Sequence, residues 1–461
     1  MTRLRADALL SELVAALPDG AVVTDPDRLA SYRHDAAGGS SAGRPLVLVL
    51  PRTTAEVSAV IATAHRERVP VVARGAGSGL SGGADAVDGC IVMSLERMTT
   101  IKQISVEDGL AVVEPGVLNQ QLRDEAALVG LAYAPDPASK AWCTLGGNIA
   151  TNAGGLCCVK YGVTRDAVLA LEVVLADGRT TRLGRRSVKG VAGYDLVSLM
   201  VGSEGTLGVV TEATLRLRPA LPPATTVVAV FPDLASAGRA VQVVTATLTP
   251  SLLELMDRTT VRAVEAMRPM GLDVDAAALL IAQTDSTGSA EADALVALCK
   301  TAGATEVFRS EDPEEADQLL EARRLAYPAL ERMGASLLDD IAVPRSRLVE
   351  AIARIEQVAA ERDVVIGTFG HAGDGNLHPT LVHPHGDADA AARVALSFTD
   401  IARISLELGG TVTGEHGVGT LKAGLLGEEL DPVARDLHAA VKAALDPRGI
   451  LNPGKALPLP A

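Results

Sequence analysis

Val69-Pro-Val-Val-Ala-Arg74-Gly75-Ala76-Gly77-Ser78-Gly79-Leu80-Ser81-Gly82-Gly83 is the stretch whose reading decides the fold class. Val69 to Ala73 reads as a strand, and Gly77-Ser-Gly-Leu-Ser-Gly82 satisfies GxGxxG, the dinucleotide fingerprint. That fingerprint must also open a helix whose N-terminus holds a pyrophosphate. Here Ala84-Asp-Ala-Val-Asp-Gly89 continues as loop, and Cys90 to Leu95 reads as another strand. The doubly wound reading fails on that context. The anion chemistry survives, because successive backbone N–H groups in a glycine-rich turn form a nest without any helix.

Upstream, residues 4–17 read as a helix, Leu46–Leu50 as a strand, and Thr53-Thr-Ala-Glu56 as a capping box opening a helix to Arg68. Downstream, Ile101–Val106 and Leu110–Glu114 alternate like sheet, and a helix follows over 118–129. Pro135-Asp-Pro137 starts a long irregular segment that runs into Thr144-Leu-Gly-Gly147-Asn148-Ile-Ala150-Thr-Asn-Ala-Gly-Gly155. Small residues of this kind let backbone approach a flat ligand closely. Asp177-Gly178 between two strand-like runs marks a hairpin. Val201-Gly-Ser-Glu-Gly205-Thr-Leu-Gly-Val-Val210-Thr-Glu212 closes the first half, and Pro219 with Pro222-Pro223 reads as a linker. Beyond it, strands at 225–231, 278–283 and 305–309 alternate with helices at 233–247 and 289–302, a pattern that suggests a βαβ-like layer. A helix over 314–330, a strand over 337–343 and helices over 346–362, 388–408 and 432–445 complete the chain.

With 461 residues, two domains or more are expected. Aromatics make up 2% of the chain and its formal charge is −15, so neither base stacking nor attraction to phosphate backbones is available. Nucleic acid is excluded as a partner. The five cysteines, an odd number without repeated CxxC, give no disulfide framework and no zinc-ribbon or iron–sulfur pattern, and a reducing cytoplasm fits. No apolar run approaches the roughly 20 residues needed to span a bilayer, so membrane association would be peripheral.

Two of the eight histidines sit in His371-Ala-Gly-Asp-Gly-Asn-Leu-His378, flanked by β-favouring runs. Asp374-Gly375 is a type I′ turn signal. A two-residue loop there would pair His371 with His378 directly, with Cβ atoms roughly 4.5–5.5 Å apart on one face. Glu415-His416, between glycines, would then add a carboxylate and an imidazole pointing in opposite directions from extended backbone. Two histidines and one carboxylate with an open position form a catalytic metal set, suited to Zn²⁺, with Mn²⁺ or Fe²⁺ as alternatives. The other imidazole is left as a general base, the role that imidazole suits near neutral pH.

Six blocks recur in register in a known family: Arg74–Gly83, Thr144–Gly155, Gly202–Glu212, His371–His378, Gly414–Gly419 and Leu451–Lys455. The chain resembles the FAD-linked oxidases with a vanillyl-alcohol-oxidase-type flavin domain, in their D-2-hydroxyacid dehydrogenase branch. That branch includes D-lactate dehydrogenases, D-2-hydroxyglutarate dehydrogenases and the flavin subunit of glycolate oxidase. The resemblance runs from about residue 40 to 455. It implies an α+β fold: a two-subdomain FAD-binding domain over 1–220, an α+β substrate-binding cap with an antiparallel sheet over 221–410, and a C-terminal segment, 411–461, returning to the flavin.

Carried over residue by residue, the resemblance implies that Arg74, Gly75, Ala76, Gly77, Ser78, Gly79, Leu80, Ser81 and Gly82 cradle the FAD pyrophosphate. Pro137, Thr144, Gly147, Asn148, Ala150, Gly205 and Val210 would line the flavin, and Asn452 would approach its ring. His371, His378 and Glu415 match the family's metal ligands and His416 its base. Arg323 matches the arginine that clamps the substrate carboxylate, with Arg324 the one-residue alternative. Some wider family members attach FAD covalently, through a histidine in the first loop. Arg74–Gly83 has no His, Cys or Tyr, which implies noncovalent FAD. The implied reaction is oxidation of a small D-2-hydroxyacid to its 2-oxoacid, with quinone, cytochrome, a flavoprotein carrier or oxygen all open as electron acceptor. A homodimer is compatible with the sequence. The competing readings are a flavin transferase of the alkyl-dihydroxyacetonephosphate synthase type and a non-catalytic flavin subunit of a larger oxidase.

Overall fold

In the computed structural model, residues 3–37 and 42–457 are described, and they form two compact units. The first comprises the chain up to Gly154, Val163–Ala220 and the chain from Glu415 onward, and the second comprises Gly155–Gly162 and Leu221–Gly414. Among the described residues no helix is long and apolar enough to cross a membrane.

The first unit opens with β1 (Val22–Val23), β2 (Val47–Val49), β3 (Val71–Arg74) and β4 (Ile91–Ser94), arranged β1-β2-β4-β3. β2, β3 and β4 run parallel, joined by right-sized crossovers, and β1 is antiparallel to β2. The crossover helix Thr54–Glu67 is capped by Thr53, whose side chain accepts the Glu56 N–H, and ends where Arg68 turns left-handed. Its face of Val57, Val60, Ile61 and Ala64 is buried against Val47, Val49 and Val71. Between β3 and β4 there is no helix. The glycine-rich stretch is loop throughout, so the doubly wound reading was rightly set aside.

Then come β5 (Ile101–Ser105), β6 (Leu110–Val113), β7 (Leu131–Ala132), β8 (Val168–Val174), β9 (Thr180–Gly184), β10 (Val209–Arg216) and β11 (Arg218–Pro219). Five of them form an antiparallel sheet in the order β5-β6-β10-β8-β9, while β7 pairs with β11. The expected hairpin at Asp177-Gly178 is the β8–β9 turn. Contrary to expectation, the segment after Pro135 is not irregular throughout. Leu145–Thr151 is a helix, with the Thr144 hydroxyl accepting the Gly147 N–H and Asn152 closing it in the left-handed region. A single capping threonine outweighed two adjacent glycines. The C-terminal strip also belongs to this unit, because Leu451 bridges to Val71 beside β3.

The second unit holds β12 (Thr225–Phe231), β13 (Leu252–Asp257), β14 (Ala278–Thr284), β15 (Glu306–Ser310), β16 (Ala335–Leu338), β17 (Ile341–Ala342), β18 (Val365–His371) and β19 (Asn376–His383). Their order is β15-β12-β14-β13-β18-β19-β16, with β17 pairing to β19. Every pairing in it is antiparallel, so the βαβ-like layer is replaced by the antiparallel cap sheet. Among the elements that went unread in the sequence are β13 and the helix Arg258–Met267 that follows it. A five-residue apolar run broken by one charge, Leu252-Leu-Glu-Leu-Met256, is too short for periodicity to tell strand from helix. The helix read over 314–330 is two, Pro313–Arg324 and Ala326–Glu331, and the strand read over 337–343 is interrupted by Asp339-Asp340.

Candidate active site

The first unit gathers the flavin-loop segments around one buried carboxylate. Glu204 takes a left-handed conformation at φ 51°, unusual for a residue with a Cβ, and Gly205 follows at φ 70°. The Glu204 N–H donates to Ala150 O at 2.8 Å. Its carboxylate accepts the Val418 and Gly419 N–H groups at 2.7 and 2.8 Å, and its carbonyl accepts the Asn452 amide at 2.7 Å. Burial pushes this carboxyl above the usual range although two backbone donors oppose the shift. The Asn452 amide donates also to Gly83 O at 2.8 Å, and Lys455 reaches Asn452 Oδ1 at 2.9 Å. Glu204 thus ties the Ala150 helix, the turn after His416 and the C-terminal strip together.

Three glycines of the first loop, Gly75, Gly77 and Gly82, stand where a Cβ would collide. A Cβ on Gly75 would meet Thr144 Oγ1, one on Gly82 would meet Thr420 Oγ1, and one on Gly77 would meet the Arg74 guanidinium. Gly77 and Gly82 also sit at φ 75° and 77°. Arg74 spends its side chain beneath this loop, donating to His34 O at 2.6 Å and lying 5.7 Å from the Tyr32 ring. Asn148 is buried, accepting from Asn119 at 3.1 Å and donating to Cys143 Sγ at 3.3 Å. Pro137 is buried, and Val210 lies in β10 paired with Val173. The loop from Gly75 to Gly82, Thr144, Gly147, Asn148, Ala150, Gly205 and Asn452 therefore fall in one neighbourhood. A cradle of backbone packed too closely for side chains fits a flavin nucleotide.

The second unit holds the histidine hairpin, with a different register from the one expected. β18 and β19 pair His371 with Asn376, Gly370 with Leu377 and Phe369 with His378. The loop is the four residues Ala372–Gly375, closed by the Asp374 and Gly375 N–H groups donating to His371 O at 3.0 Å each. Only Gly375 has positive φ, so no type I′ turn forms at Asp374-Gly375. The two histidines are diagonal rather than opposed. Because the register moves by two residues, the shared face is kept, and diagonal pairs remain within reach of aromatic side chains. The rings stand 5.0 Å apart, edge to face at 85°.

Both histidines sit against buried carboxylates that the sequence reading missed. Glu254, fully buried in β13, meets His371 Nδ1 through Oε1 at 2.7 Å and accepts the Arg323 Nε–H through Oε2 at 2.6 Å. Burial alone would push its carboxyl up; His371 and Arg323 outweigh that and hold it below the usual range. Asp340 lies 3.7 Å from His378 Nδ1 and accepts from Asn376 at 2.7 Å and Thr413 at 2.8 Å. For His371 the Glu254 carboxylate on Nδ1 is the partner that metal-binding histidines ordinarily have, since it fixes the tautomer with Nε2 as the ligating atom, whereas the 3.7 Å at His378 is too long for a hydrogen bond. The donor set fits a divalent ion. The signal for Glu254 was present: it is the one charge inside Leu252-Leu-Glu-Leu-Met256.

The structure separates the two candidate arginines. Arg323 is buried with its guanidinium 4.6 Å from the Phe369 ring, whereas Arg324 is half exposed and ion-paired with Asp317 at 2.7 Å. Glu415 and His416 differ from expectation. The backbone bends at Gly414–His416 rather than running extended, and His416 Nε2 comes within 3.9 Å of Glu415 Oε1. The glycines around them permit that bend, with Gly417 at φ 87°. The Glu415 side chain packs on Gly154, where a Cβ would collide with it.

Two family models match the chain: an FAD binding domain over residues 45–184 and the C-terminal domain of FAD linked oxidases over 221–456. The chain belongs to the FAD-linked oxidase family. This FAD-linked oxidase is 42% identical over 416 residues to the glycolate oxidase subunit GlcD of Bacillus subtilis, covering 89% of this chain and 88% of that one. It is 36% identical to the D-lactate dehydrogenase of Archaeoglobus fulgidus, covering 93% and 95% respectively. Its fold is that of p-cresol methylhydroxylase, with a TM-score of 0.82 at 19% identity over 99% of this chain and 97% of that one. The oxidase is thus an FAD-linked oxidoreductase, and the two-domain vanillyl-alcohol-oxidase-type architecture expected from the sequence is the one it has.

Proposed function

We propose that this chain oxidises a D-2-hydroxyacid of the D-lactate, glycolate or D-2-hydroxyglutarate type to the 2-oxoacid. The observation that carries the reading is the buried Arg323–Glu254–His371 arrangement, which sets a carboxylate-binding cation beside a metal-binding imidazole. The names of the glycolate oxidase and D-lactate dehydrogenase relatives support it. FAD, when bound noncovalently, supplies the hydride acceptor at N5. A divalent ion, zinc before manganese or iron, supplies Lewis acidity to the substrate hydroxyl.

In this reading His371, His378 and Glu415 hold the ion. Arg323 clamps the substrate carboxylate. Its Nε–H is committed to Glu254, so the two Nη groups form the fork, a geometry that lysine could not supply. His416 takes the hydroxyl proton on its imidazole, and the Glu204 clamp on Val418 and Gly419 fixes the turn that carries it.

Anaerobic addition of D-lactate, glycolate or D-2-hydroxyglutarate should bleach the flavin absorbance, while the L-enantiomers of the chiral acids should not. Absence of bleaching by any D-2-hydroxyacid would overturn the proposal. His416→Ala should keep FAD but lose about 10²–10⁴-fold in turnover, the usual loss for a general base. Because the Bacillus subtilis relative is named as a subunit, the same oxidation within a larger assembly is the second reading. Turnover of the isolated chain with an artificial dye separates the two.

A further inference from the structure

Resting on the site reading above, the geometry points to Glu254 as a positioning residue that holds the substrate-binding arginine and the metal-binding histidine through one carboxylate, so that anion affinity and metal affinity rise and fall together.

The sheet register puts it there. β13 pairs Leu255 with Gly370 and Met256 with Phe369, so the next pair along is Glu254 and His371. Each carboxylate oxygen has its own partner: Oε1 has His371 Nδ1 at 2.7 Å and Oε2 has Arg323 Nε at 2.6 Å. A fully buried carboxylate is costly, and a structural ion pair needs only one counter-charge. The second oxygen goes to the imidazole instead of to a backbone donor. Phe369 closes the arrangement. Its ring carries the Arg323 guanidinium at 4.6 Å and lies 5.5 Å from the His378 ring, with His378 5.0 Å from His371.

Each half has a physical consequence. Accepting Nε–H, with Phe369 beneath, fixes the guanidinium plane and therefore the direction of the Nη fork. Accepting Nδ1–H fixes the His371 tautomer, so that Nε2 carries the lone pair, and raises the basicity of the ring. Glutamine cannot reproduce both. Its amide oxygen can accept from one partner, and its NH₂ then faces a second donor.

The test is Glu254→Gln alongside Arg323→Ala and His371→Ala, with FAD stoichiometry and circular dichroism as controls for folding. Zinc affinity is measured by chelator competition without substrate, and kcat and KM on the substrate that bleaches the flavin. Glu254→Gln should weaken zinc by about 10–100-fold, the usual loss for such orienting partners, and raise KM at least as steeply as it lowers kcat. Glu254→Asp, which keeps the charge, should recover part of both losses, and it is read in place of the glutamine variant should that one not fold. Loss of thermal stability with unchanged zinc affinity and unchanged KM would overturn the proposal, as would loss of only one of the two affinities. If Arg323→Ala leaves KM unchanged and His371→Ala leaves zinc affinity unchanged, the site reading itself fails, whatever Glu254 does.

Discussion

At the residue scale, buried acids do most of the organising, and each does it differently. Asp257 ends β13, caps the helix Arg258–Met267 through the Thr260 N–H at 2.8 Å, and accepts the Thr368 N–H at 2.8 Å. Burial pushes its carboxyl up to about 6, against roughly 3.9 in an unfolded chain. A raised carboxyl pKa means that the folded state binds the proton more tightly. Its penalty is therefore absent below pH ~4, grows as pH rises, and is complete above ~6. Denaturant midpoints of the wild type should fall relative to Asp257→Asn by the equivalent of about 2–3 kcal/mol between those limits. A constant offset between the two would remove Asp257 as the cause. At this scale the sequence was partly legible. His371, His378 and His416 stand out in local motifs and Arg323 only through the family resemblance, and the burial of Arg323 beside exposed Arg324 is a difference between neighbours that no motif shows. The charge of Glu254 inside an apolar run was visible, but no motif gives Glu254 or Asp340 a role, because their importance lies in partners 117 and 38 positions away.

Among elements, the decisive ones are loops that owe their shape to other loops. The Gly75–Gly82 turn packs on Thr144 and Thr420, Gly419 packs on Ser81, and Glu204 bonds three further segments. Gly75→Ala, whose Cβ would strike Thr144 Oγ1, should displace the threonine from the Gly147 N–H. The purified protein should then carry well under half the wild-type FAD by absorbance ratio; full occupancy would show that the contact is slack. The glycine-rich blocks were legible because few sequences tolerate so little side chain. Legibility stopped at register. The Asp374-Gly375 pair suggested a two-residue loop, but only Gly375 has positive φ and the chain closes four residues instead. Since the slip is even, the shared histidine face was right although the pairing was not.

For the whole molecule, the assignment of residues to units carries a prediction of its own. Every residue read as lining the flavin lies in the first unit, and Arg323, His371 and His378 lie in the second. Arg323→Ala should therefore retain stoichiometric FAD while KM rises at least tenfold, and loss of flavin from this variant would contradict the division. The sequence by itself determined the class of cofactor loop, the rejection of a doubly wound fold, the order of the family blocks and the residue types available for chemistry. All of these are local in the chain, and backbone chemistry or short-range spacing expresses them. Only the tertiary structure decided which carboxylates face which histidines, which of two adjacent arginines turns inward, and that an unread strand, β13, carries the acid joining Arg323 to His371. Those outcomes depend on strand register and burial, where a partner more than 60 residues distant along the chain sets the energy of a charge. Spacing in sequence holds no record of that.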